Sequence, residues 1–167
     1  MVAEGVVLHT RRVKPRAIKA RTRIQEHDRI DEILTAITDM AARCPYNHLR
    51  VGIEGPSYGS KGASVHQVAG LWWAITQRLY QLELPYYVIT PSQRMKYATG
   101  KGQADKDIVL AAVINRYRDL VEVTGNDIAD SLIIAAMGAR HYGSPLEHHL
   151  PELNLKAMEA VEWSTAE

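Results

Sequence analysis

The chain has 167 residues, with 46% hydrophobic and 23% charged residues and a formal charge of +1 from 20 Lys and Arg against 19 Asp and Glu. Those proportions belong to a folded domain of ordinary size and exclude disordered and collagen-like classes. The one cysteine, Cys44, excludes an intramolecular disulfide and fits a reducing compartment. With no apolar run near the ~20 residues of a membrane span and no signal-like start, a cytoplasmic protein is expected.

The near-zero charge conceals a division along the chain. Residues 1–24 carry seven basic residues, among them Arg11, Arg12 and Arg16, against the single acid Glu4, a net of +6. Residues 147–167 carry five Glu and only Lys156, a net of −4. A basic segment of this kind either runs along nucleic-acid phosphates, releasing counterions, or is a solvated face.

Taken in order, residues 5–13 are rich in β-branched residues and stopped by Pro15, which predicts a strand or bent pair. Ile24, Ile30, Ile33, Leu34, Ile37 and Met40 recur at helical spacing, and Pro45 closes that region. Residues 49–56 read as a short strand with Glu54 near its C-terminal end, followed by a Gly/Ser-rich loop at 57–62. A helix is expected over about 64–82, a strand over 85–90, a polar basic loop within 92–103, and helices over 105–117 and 128–142. Beyond Gly143 an acidic peripheral tail is expected, with one last helix near 155–163. Strands alternating with helices indicate an α/β layer architecture in one domain, 1–143, followed by the tail, 144–167.

Three acids stand out by context. Glu54 ends a strand whose Val51 and Ile53 belong in a core, and ligand sites in open α/β sheets gather at the carboxyl ends of strands. Asp127 and Asp130, spaced i, i+3, share one face at the head of a helix that is nearly apolar all round. Acids there also favour the helix dipole, which alone accounts for Asp127 better than for Asp130. Hard oxygen ligands are what Mg2+ or Mn2+ requires, and two such ions can activate water and stabilise a leaving oxygen in phosphodiester hydrolysis. A strand-end Glu plus a helix-head Asp-x-x-Asp therefore points to a metal-dependent nuclease. His141, His148 and His149 have no partner spacing of a zinc site and read as a polar tail, His141 standing nearest to the metal rim.

Three blocks, in order, carry a resemblance: Ile-Glu-Gly-Pro-Ser at 53–57, Thr-Gly-Lys-Gly-Gln-Ala-Asp-Lys at 99–106, and Asn-Asp-Ile-Ala-Asp-Ser-Leu-Ile-Ile-Ala at 126–135. Together they resemble the RuvC-type Holliday junction resolvases, over about residues 6–143. The resemblance implies an RNase H-like mixed sheet flanked by helices, and a homodimer that nicks opposing strands of four-way DNA junctions with Mg2+. Glu54, Asp127 and Asp130 match three of the family's four metal-binding acids. Lys96 and Lys106 match basic positions near the reacting phosphate, where they would neutralise charge on phosphoryl oxygens. Arg94 and Lys101, in the same loop, would be further backbone contacts, Tyr58 lies near an aromatic wedge position able to stack on a base, and Lys61 beside it would meet a phosphate. Of Trp72 and Trp73, about 100° apart on one helix, one is expected at an interface.

The fourth family acid, an Asp near the end of a first strand, has no counterpart. The chain opens Met-Val-Ala-Glu-Gly-Val-Val-Leu, which matches the family's second strand onwards. Two readings stay open, a start upstream of Met1 or a lost strand. Besides junction cleavage, two further functions are carried: junction binding without cleavage, and an RNase H-like nuclease acting on RNA or other DNA.

Overall fold

The structure, a computed structural model, describes residues 22–44, 49–56 and 65–164. The expected strand over 5–13 lies outside them, as do Arg11, Arg12, Arg16, Tyr58 and Lys61. The elements run α1 (Arg23–Ala41), β1 (Val51–Glu54), α2 (Val65–Gln81), β2 (Tyr86–Ile89), α3 (Pro91–Thr99), α4 (Lys106–Tyr117), α5 (Asn126–His141) and α6 (Glu152–Leu155). They fall into two units: α1 and α2 in one; both strands and α3 to α6 in the other. Among the described residues no helix is long and apolar enough to cross a membrane.

In the first unit α1 starts at Thr22, whose hydroxyl accepts from the Gln25 amide while the Gln25 side chain accepts from the Thr22 amide. That reciprocal pair satisfies two backbone donors that the first turn leaves without partners. Helices α1 and α2 lie against each other. Trp72 and Trp73 meet edge to face at 5.1 Å, and Trp73 is 68% exposed.

The second unit contains β1 and β2, paired in parallel with Val51 opposite Tyr86 and Glu54 opposite Ile89. Parallel strands need a long crossover, here the chain that carries α2. Among the described residues the sheet is this parallel pair. The principal core joins Tyr87 and Ile89 to Tyr97, Val113, Tyr117, Ile133 and Met137 from the helices. Helix α5 supplies Ala129, Leu132, Ile133, Ile134, Ala136 and Met137, and so is buried nearly all round, as its apolar run requires. Its packing against the sheet depends on two glycines. A Cβ on Gly52 would stand 2.5 Å from the Ile134 side chain and 2.6 Å from the Tyr87 hydroxyl, and one on Gly138 would run into that same hydroxyl. Tyr87 fills the gap and donates to the Ile134 carbonyl at 3.0 Å.

Two expectations need correction. The loop expected within 92–103 begins only at Gly100; the stretch before it is a helix through Thr99 that was not foreseen, because Thr90 and Gln93 form a second capping box and Pro91 occupies the first turn. Helix α3 then stops at Gly100, whose φ of 81° suits the left-handed position after a helix.

The segment after Gly143 is not peripheral through residue 164. Leu150, Ala157 and Val161 are core residues, and Glu147 is buried. The last helix is the short α6, with turns rather than helix over most of 155–163. Glu147 accepts from the hydroxyls of Tyr97 and Tyr117 and pairs with Arg140, which also donates to the Glu147 carbonyl at 2.8 Å. The acid that looked like part of a solvated tail is therefore a buried anchor.

Candidate active site

Helix α3 is fixed at both ends. At its start, beyond the capping box, Gln93 Nε2 donates to the Ala160 carbonyl at 3.0 Å. At its end, the Tyr97 carbonyl accepts from Arg116 and Asn154, and the Ala98 carbonyl accepts from Arg116 at 2.7 Å. These donors satisfy carbonyls that a helix C-terminus leaves open, and the Arg116 charge suits the negative end of the dipole. The result is a rigid short rod whose fourth residue is Arg94.

Arg94 joins two of the three predicted acids. Its Nε donates to Glu54 Oε1 at 3.0 Å, and its Nη1 pairs with Asp130 Oδ1. The geometry needs three elements: Glu54 closes β1, Asp130 sits on α5 just past its first turn, and α3 contacts α5 while α5 contacts β1. The side chain of Arg94 is only 12% exposed, against 37% for Glu54 and 30% for Asp130. The guanidinium therefore lies under the carboxylates. Two carboxylates held this close repel, and a cation between them removes that penalty.

Asp127 lies in the first turn of α5, one turn before Asp130. Among the described residues no three His, Cys, Asp or Glu side chains come close enough to share a metal ion. Glu54 and Asp130 are hard oxygen donors of the kind Mg2+ takes, so they fit the ion in chemistry. Their positive partner in this arrangement is Arg94.

Lys101 and Lys106 are exposed; Lys96 is half-buried on α3, and Lys106 opens α4. Lys101, Thr99, Gln103, Ala104, Asp105 and Ile108 line an open depression of about 440 Å³ where the distinctive Gly loop meets α4. His141 does not approach the acids: it stacks on Trp163 at 4.1 Å with rings nearly parallel. It stands eleven residues beyond Asp130 on α5, roughly 16 Å along the axis at ~1.5 Å per residue.

Sequence reasoning missed Arg94 as the partner of the acids, and Glu147, Arg140, Arg116 and Asn154 as the groups that hold α3. The Thr-Pro-Ser-Gln run at 90–93 has the spacing of a capping box and signals the helix. Nothing in the sequence signals the long-range partners.

No family model matches the chain, and no curated protein does. Among solved structures it is similar to RuvC of Thermus thermophilus, with a TM-score of 0.56 and 18% identity over 76% of each chain. The fold is that of RuvC. A second structure, T. thermophilus RuvC in complex with Holliday junction substrate, gives a TM-score of 0.52 and 17% identity over 75% of this chain and 78% of that one. The likeness agrees with the resemblance read from the three sequence blocks. At such identity RuvC lends the chain its fold, whereas the roles of Glu54, Arg94 and Asp130 rest on their own geometry.

Proposed function

We propose that the chain is a junction-resolving endonuclease, a homodimer that binds four-way DNA junctions and nicks opposing strands with Mg2+ (Mn2+ as a substitute) on an RNase H-like mixed sheet. The observation that carries the proposal is the convergence of Glu54 from a strand end and Asp130 from a helix head on one cationic group, in a chain with the RuvC fold. Sites of α/β sheets form at strand carboxyl ends, and a pair of acids there has little purpose in packing alone. Glu54 and Asp130 would hold the divalent ion, which would supply an activated water and charge stabilisation for phosphodiester hydrolysis, and Asp127 is proposed to join them as a third ligand once a cation is bound.

The chain's own residues bind and orient the DNA. Lys106 and Lys96 would neutralise charge on the reacting phosphate, and Lys101 would meet the backbone nearby. Arg11, Arg12, Arg16, Tyr58 and Lys61 are proposed as the remaining junction contacts. Trp73 and Tyr80, one heptad apart on α2, are 68% and 76% exposed, which supports a partner subunit on that face. A cytoplasmic location follows from this role.

The test is cleavage of a four-way junction in Mg2+. Wild type should nick it, and Glu54→Gln or Asp130→Asn should lower the rate at least about a hundredfold, as loss of groups at the reacting centre does. Lys106→Ala should bind with little change and cut slowly. Equal cleavage of linear duplex or RNA would replace the resolvase reading with a general RNase H-like nuclease. The Arg94 contact favours one second reading, a protein that binds junctions without cutting them; junction binding with no cleavage in any divalent ion would establish it.

A further inference from the structure

We infer that Arg94 is a built-in counter-ion that competes with the divalent cation for Glu54 and Asp130, so that the ion enters only when the guanidinium is displaced. This rests on the reading above that the two acids are cation ligands. Arg94 was expected to face DNA phosphate; instead its Nε and Nη1 are turned inward onto Glu54 and Asp130. Its backbone cannot readily follow a different partner, because α3 is clamped at Thr90, Gln93, Tyr97 and Ala98. Rotation of the side chain is what would release its bonds to the two acids.

The electrostatics make the competition direct. A planar guanidinium engages carboxylate oxygens through fixed N–H donors and stays charged at every accessible pH. A dication drawing on the same oxygens would sit beside that permanent positive charge, in a place where Arg94 is 12% exposed and poorly screened. With the cation absent, Arg94 prevents the two acids from repelling each other. With the cation present, the same charge opposes it. Removing Arg94 should therefore tighten metal binding while loosening the metal-free fold.

The experiment is Mn2+ binding to the full chain without DNA, read from loss of the free-ion electron paramagnetic resonance signal. Arg94→Gln should bind Mn2+ about tenfold more tightly than wild type, which is ~1.4 kcal/mol. Arg94→Lys, which keeps the charge but cannot fork onto both acids, should bind a few-fold more tightly and guards against a Gln variant that fails to fold. Metal-free thermal unfolding of Arg94→Gln should come at lower temperature, and Mn2+ should raise it by more than it raises wild type. Unchanged or weaker Mn2+ affinity in both Arg94 variants, with binding abolished in Glu54→Gln/Asp130→Asn, overturns the role of Arg94 and leaves the acids as ligands. Binding that survives in the double variant, or is absent from every chain, overturns the cation site itself and this inference with it.

Discussion

At the scale of single residues, the site depends on side chains whose absence permits contact as much as on those that make it. Gly138 touches the Tyr87 hydroxyl so closely that no Cβ fits, and Gly52 is almost as tight against the same tyrosine. Gly138→Ala should destabilise the chain by ~1–3 kcal/mol through overpacking, measured by urea unfolding. The cost should shrink in a Tyr87→Phe background, where the clashing oxygen is gone. Identical costs in the two backgrounds would mean the tyrosine is not what α5 presses against. Glu54 and Asp130, which the fold brings together on Arg94, drew attention in the sequence because a carboxylate at the edge of an apolar run is costly without a task. Arg94 was not legible in its role, since an arginine among polar neighbours looks like any solvated cation until the fold brings its partners from 40 and 36 residues away.

At the scale of elements, periodicity found α1, α2, α4 and α5 and both strands of the described sheet to within a few residues. It failed at α3, which is too short and polar for a periodic signal and is defined by its ends instead. It also failed beyond Gly143, where charge dominated the reading and the apolar positions Leu150, Ala157 and Val161 were scattered. The buried Glu147 is the physical reason that segment folds back: Tyr97, Tyr117 and Arg140 all turn to it. Burial, and then the Glu147 charge, pushes the hydroxyl pKa of both Tyr97 and Tyr117 well above the ordinary tyrosine value. A raised pKa in the fold means the neutral form is preferred there. The stability it contributes is complete below the unfolded value of about 10 and is lost as pH rises beyond it. Tyr117→Phe should therefore flatten the alkaline fall in stability between about pH 9 and 11 relative to wild type. An equally steep fall would show that the buried hydroxyl ionises as readily in the folded chain as in the unfolded one. Glu147→Ala, which strands Arg140 and two hydroxyls, should cost ~2–3 kcal/mol.

At the scale of the whole molecule, the sum of charges was the least informative number in the sequence. A +6 segment and an acidic segment cancel, and part of the acidic one is internal. The α/β class was legible from the order of elements; among the described residues the sheet is a parallel pair, and the expected mixed sheet stays a proposal. Under the proposed function the partner is branched DNA. Phosphate contacts should dominate affinity, so that log K falls linearly with log salt by about 0.9 per contact and Lys101→Ala lowers that slope by about 1. The decisive measurement is competition binding of the full chain, without divalent metal, between a four-way junction and a linear duplex of the same sequence and length. The expected result is strong preference for the junction at salt concentrations where duplex binding has been lost. Equal affinity for the two at every salt concentration would contradict a junction-recognising protein.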